Sequence, residues 1–186
     1  RIKELMCRAL PPLTQEDEEA LAEEGMPRLN ATLVLVPDNS MVQHWEQQIS
    51  LFCKEREYLG RLMFISHSTE DVFPAGMVQN ERNALANNGG VVVVSVSMVR
   101  SLLARDHPLH DILFGHRWRR LVLDEGHIMG RGINFRNAGI AAINADIVWC
   151  MTGTPTPQIA QQSGLSHLER MLRFLRLGYL ADADSW

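Results

Sequence analysis

Four near-continuous apolar runs, each closed by small polar or turn residues, restrict this chain to a sheet of strands covered on both faces. They are Ala31 to Val36 before Pro37, Val91 to Val96 before Ser97, Leu121 to Leu123 before Asp124, and Ile147 to Met151 before Thr152. A strand with one wet face alternates apolar and polar residues; a parallel strand under helices on both sides has no wet face to show. Leu62–Ile65 adds a shorter run. Helical spacing fills the intervals, so the expected fold is a single α/β sheet.

The segment after Pro37 reads as a helix with Ser40 and Gln43 as an S-x-x-Q capping box. Met41, Val42, Trp45, Ile49 and Phe52 would line its core face. A polar helix is expected over 77–86, ended by Asn87-Asn88-Gly89-Gly90. Ser97 is placed to cap a short helix bearing Val99, Leu102 and Leu103, which His107-Pro108 breaks. Another helix is expected from Phe135 to about Asn144. Ser166 and Glu169 form a second capping box, for a helix with Leu168, Met171, Leu172 and Leu175 inward. Residues 1–30 read as a helical lead-in: Ile2, Leu5, Met6 and Ala9 share a face up to Pro11-Pro12, and Thr14 is placed to cap an acidic helix to about Glu24.

At 186 residues and 46% hydrophobic content, one sizeable core is the expectation. The net charge of −4 hides an asymmetry, because Glu16 to Glu24 holds six acids and no base. Outside that stretch 16 acids face 18 bases, too even a balance for a broadly basic nucleic-acid-binding surface. Cys7, Cys53 and Cys150 form no CxxC pair, which argues against a disulfide framework or structural zinc and for a reducing, intracellular setting. No run approaches the length of a membrane span and no secretory signal pattern opens the chain.

Asp124 and Glu125 are the chemically telling pair. A parallel strand ending in two acids delivers carboxylates to the carboxyl edge of the sheet, where phosphates and Mg²⁺ bind in open α/β folds. Alone, the dipeptide reads equally well as the acidic first turn of a helix. The order of the other runs favours the sheet-edge reading.

In that order, "LVLVPDNSMVQHW", "VVVVSVSMVRS", "RRLVLDEGH" and "WCMTGTPTP" resemble motifs Ia, Ib, II and III of the first motor lobe of superfamily-two helicases. The likeness is strongest to Swi/Snf-type (sucrose non-fermenting) DNA translocases and covers roughly residues 31–186. The DEGH spelling and "RMLRFLRLGYLADADSW" resemble the branch with ring-finger-bearing DNA-damage-tolerance translocases. The resemblance implies a RecA-like three-layer sandwich with a mostly parallel sheet. It implies ATP and Mg²⁺ as cofactors and double-stranded DNA, bound without regard to sequence, as partner. A second RecA-like lobe of the same motor and a nuclear location follow from it too.

By resemblance, Asp124 would hold Mg²⁺, Glu125 would activate the attacking water, and His127 would couple nucleotide state to motif III. Thr152, Gly153 and Thr154 would link hydrolysis to movement. Pro37, Asn39, Ser40 and Gln43, with Ser95, Ser97 and Arg100, would touch the tracked strand. Arg117, Arg119 and Arg120 read first as a solvated strand entry.

The departure from the family is the phosphate-gripping loop. Lys3 and Lys54 are the only lysines and neither follows a glycine, so this sequence holds no Gly-Lys-Ser/Thr. With Arg1 in place of Met, the expectation is an excised, partial lobe (residues 1–186), incomplete at its P-loop unit and inactive alone. The rival reading is a degenerate, non-catalytic lobe that serves as a DNA- or protein-interaction module. An RNA helicase is disfavoured, since that group usually spells the box DEAD or DEAH.

Overall fold

A computed structural model of the chain describes residues 25–53, 56–66, 75–103, 107–126, 139–153, 171, 172, 174 and 175. Among these, five strands form one sheet: β1 (Arg28–Val36), β2 (Arg61–Ile65), β3 (Gly90–Ser95), β4 (Arg117–Leu123) and β5 (Asn144–Cys150). Between them lie α1 (Asn39–Phe52), α2 (Ala75–Asn88), α3 (Val96–Leu103) and α4 (Pro108–Phe114). The strand order is β2-β3-β1-β4-β5 and every pairing is parallel.

Alternation within each strand sorts side chains into two cores. Leu33, Leu35, Val92, Val94, Leu121 and Leu123 meet α2, α3 and α4 on one face. Val34, Val36, Val91, Val93 and Val122 meet Val42, Trp45 and Ile49 of α1 on the other. The result is the single α/β sheet expected from the residue pattern, in the three-layer, RecA-like sandwich that the resemblance implied.

Parallel pairing puts all the strand exits on one edge. Val36 pairs with Ser95, Leu35 with Leu123, and Leu123 with Cys150, so the exits after β1, β3, β4 and β5 open side by side. From β1 the chain turns toward β2; from β4 it turns toward β5. Such a reversal leaves a crevice between the carboxyl ends of β1 and β4, the usual ligand position in open α/β sheets.

Several local expectations change. Asp38, not Ser40, caps α1: its carboxylate accepts from the amides of Ser40 (2.9 Å) and Met41 (3.1 Å), the role for which Asp is favoured. The Ser40 hydroxyl, then the Met41 amide, hold the Asp38 carboxyl below its usual range. Phe52 is exposed and Met41 only partly buried. The Ser95 hydroxyl rather than Ser97 accepts from the first turn of α3, at the Met98 amide (3.3 Å).

His107-Pro108 does more than break α3. His107 Nδ1 accepts from the Leu109 amide (3.1 Å), and the proline opens α4, where its missing N–H costs nothing. Ile140–Ala142 is a short 3-10 turn and Asn144 already belongs to β5, so no helix reaches Asn144. Residues 1–24, the start at Phe135, the Ser166–Glu169 box and Leu168 lie outside the described residues. Met171 and Leu175 do pack inward, and Phe174, not anticipated, is 1% exposed.

The arginine cluster is not a solvated strand entry. At the amino edge of the sheet, Asp146 accepts from Arg28 Nε (2.9 Å) and Arg117 Nε (2.6 Å), tying β1, β4 and β5 together. Arg120 is 7% exposed, with its guanidinium 4.7 Å from the centre of the Trp149 ring. Burial, with Arg119 nearby, lowers its pKa. Asp146→Ala is expected to lower unfolding free energy by about 2 kcal/mol, since two half-buried guanidiniums lose their acceptor but can recruit water. Chemical denaturation with an unchanged midpoint would contradict this.

Candidate functional site

The first turn after β4 is fixed on three sides. The Asp124 amide donates to the Leu35 carbonyl (2.8 Å), carrying the ladder one residue past the strand. Its carboxylate is held at both oxygens: Oδ1 accepts from the Glu125 amide (2.9 Å) and Oδ2 from the Trp45 indole Nε1 (2.7 Å). Glu125 has φ 51°, the one left-handed non-glycine residue among those described. A side chain in that region costs of order 1 kcal/mol and persists where surroundings over-determine it, commonly at functional sites.

Gly126 supplies one reason for the constraint. Its amide donates to the Met151 carbonyl (2.7 Å), while the Met151 amide donates to Leu123 (2.8 Å), so the turn lies against the end of β5. A Cβ on Gly126 would stand 2.1 Å from Cys150 Sγ. Only glycine allows that approach. Burial pushes the Cys150 thiol up to about 11, so it stays protonated at neutral pH and acts as a packing group.

Thr152 and Gly153 follow Met151 directly, which puts them beside the Asp124–Glu125 turn. Thr152 is half-buried and Gly153 exposed, with open space where a Cβ would stand. His127 and Thr154 lie outside the described residues.

A second cluster forms where β1 and β3 leave the sheet. Ser95 Oγ donates to Asn39 Oδ1 (2.8 Å) and lies 3.0 Å from Ser97 Oγ, so Asn39, Ser95 and Ser97 come together. Ser95 is fully buried and Ser97 exposed. Ser40 is exposed with its hydroxyl on Asp38 (2.6 Å). Pro37 is half-buried at the bend. Gln43 on α1 and Arg100 on α3 are exposed.

Trp45 is the residue whose role the sequence pattern concealed. It reads as one more apolar member of the α1 face, and it is 3% exposed. Yet a buried indole N–H seeks an acceptor, and here the acceptor is Asp124. Between them, Asp124, Glu125 and Trp45 make a rigid, half-open acidic corner. Among the described residues no three His, Cys, Asp or Glu side chains converge as a ready metal cage. A single fixed carboxylate suits Mg²⁺ shared with a nucleotide's phosphates, which seldom uses an all-protein cage.

A family model described as "SNF2-related domain" matches residues 9–186. The chain belongs to the SNF2-related family. It is 26% identical over 162 residues to the DNA repair protein RAD5A of Arabidopsis thaliana, covering 87% of this chain and 14% of that protein. An F-box protein of the same plant is 31% identical over 150 residues, 78% of this chain and 10% of its own length. The helicase-like transcription factor of Mus musculus is 24% identical over 161 residues, 86% of this chain and 14% of that one. The chain thus spans a small fraction of the relatives it matches.

Among solved structures, the Sulfolobus solfataricus SWI2/SNF2 ATPase core in complex with dsDNA matches with a TM-score of 0.54 at 18% identity. The match covers 90% of this chain and 29% of that one. It supports the fold of this SNF2-related chain. No helix among the described residues is long and apolar enough to cross a membrane.

Proposed function

We propose that this SNF2-related chain forms the part of a first motor lobe that acts on the γ-phosphate in a double-stranded-DNA-dependent ATPase. The observation that carries the reading is the Asp124 carboxylate, held at both oxygens at the carboxyl edge of a parallel sheet. On this reading Asp124 holds Mg²⁺, mostly through water. Bound there, the ion would neutralise charge on the phosphates. Glu125, fixed next door by its left-handed turn, accepts a proton of the attacking water and aims its lone pair at phosphorus. His127, Thr152, Gly153 and Thr154 are assigned to passing the state of that site to the second lobe.

Pro37, Asn39, Ser40 and Gln43, with Ser95, Ser97 and Arg100, are assigned to one DNA strand. Their offer is amides, hydroxyls and one guanidinium at strand exits, groups that suit phosphate and carry no sequence information. Relatives named for DNA repair and transcription suit a nuclear location.

DNA binding by the complete protein is therefore expected to be indifferent to sequence. Its dependence on salt should be shallow, on the order of two to four phosphates from the slope of log affinity against log salt. A strong preference for one duplex sequence at fixed salt would overturn the assignment.

A further inference from the structure

Trp45 lies between Val42 and Ile49 on the buried face of α1, and it is the member of that trio with a polar atom to satisfy. Its indole Nε1 donates to Asp124 Oδ2 at 2.7 Å, across 79 residues of sequence. We infer that Trp45 is a positioning residue for Asp124: its N–H fixes the carboxylate for the metal, and it thereby sets metal affinity. The inference rests on the ATPase reading above and adds to it a residue outside the acidic turn.

The geometry supports a role beyond packing. With Oδ1 on the Glu125 amide (2.9 Å) and Oδ2 on the indole, the carboxylate cannot rotate without breaking one of the two bonds. Each oxygen keeps a further lone pair for a metal ion or its water. The two donors differ in origin. The Glu125 amide belongs to the same turn and travels with Asp124, so it cannot hold that turn in place. Trp45 belongs to α1, which is anchored separately through Asn39 to Ser95 (2.8 Å) and through its apolar face to β1 and β3. Among the described residues, the indole is therefore the side-chain partner that ties the carboxylate to a different element of the fold. Partners of this outer kind orient a ligand, and their loss typically lowers metal affinity ~10–100-fold.

The test compares Trp45→Phe with the unmodified complete protein. Phenylalanine keeps a ring on the apolar face and drops the N–H. Mn²⁺ is titrated in the presence of a non-hydrolysable ATP analogue, with free Mn²⁺ read by electron paramagnetic resonance. The expected result is a rise in the Mn²⁺ dissociation constant of ~10-fold, while ATP turnover at saturating metal changes far less. Loss of packing alone would lower the folded fraction and turnover and leave the affinity of the folded fraction unchanged; that outcome overturns the inference.

Failure of the unmodified protein to bind the Mn²⁺–nucleotide pair would overturn the ATPase reading, and the inference with it. Normal binding that Trp45→Phe leaves unchanged would remove the inference alone. Should Trp45→Phe not fold, the ¹⁵N-indole spectrum decides between the unmodified protein and Asp124→Ala. One N–H resonance, held downfield by its carboxylate partner, is expected to move upfield in the variant. An unmoved set of indole resonances would overturn the contact itself.

Discussion

Glu125→Gln is expected to lower ATP turnover of the complete protein by ~10²-fold or more and to leave nucleotide binding nearly intact. Glutamine keeps the shape of the side chain but loses the charge that would polarise water on the proposed reading, so the substitution separates chemistry from binding. Glu125 is suited to such a role by its backbone: at φ 51° it occupies a conformation that a side chain adopts at a cost. Its amide is committed to Asp124 Oδ1, so the two acids are set as a unit at the end of β4. Phosphate release and equilibrium binding of an ATP analogue measure the two quantities. Turnover within a few-fold of the unmodified protein would remove Glu125 from the chemistry.

Gly126→Ala is expected to reduce turnover by a similar factor without touching any catalytic group. The new Cβ would stand 2.1 Å from Cys150 Sγ, far inside contact distance. Cysteine has a single χ angle, and its sulfur is two bonds from the β5 backbone, so it has little room to retreat and the glycine turn must give way. That turn carries the acid pair, and a displacement of about 1 Å in a reacting group can cost ~10²-fold in rate. Overpacking of this kind also costs about 1–3 kcal/mol of stability. Cys150→Ala removes the obstructing sulfur, so the double variant should recover both losses in part, a coupling that a double-mutant cycle measures. Equal rates for Gly126→Ala and the unmodified protein would contradict the close packing of the two motifs.

The sheet was readable because its inner strands are buried on both faces: Val91 to Val94 and Leu121 to Leu123 have no polar position that could face water, whereas β5 at the edge is mostly half-buried. Such runs declare parallel pairing without any long-range information. Helix ends were less readable, because several residues could serve as caps. Asp38 and Ser40 both qualify for α1, and only the observed turn assigns the amides to Asp38. Likewise His107 caps α4 through Nδ1, a role that a histidine before proline does not advertise.

The geometry of the candidate site was legible in its acids and strand exits and illegible in its supports. Trp45, Cys150 and Arg120 all look like core or surface by local pattern. Their partners, Asp124 and Gly126 in the turn after β4 and Trp149 on β5, come from other parts of the fold, so no spacing rule could link them. The arginines at the start of β4 illustrate the same limit. Asp146, which holds Arg117 at 2.6 Å, lies on the neighbouring strand, 29 residues away.

Phosphate release by the complete protein, at saturating Mg²⁺-ATP with and without duplex DNA of arbitrary sequence, tests the central claim most directly. Release that DNA stimulates in the unmodified protein, and that Asp124→Ala abolishes in both conditions, is the predicted result. DNA-stimulated release that persists in Asp124→Ala would contradict it, because the carboxylate held by Trp45 and Glu125 would then have no part in the hydrolysis.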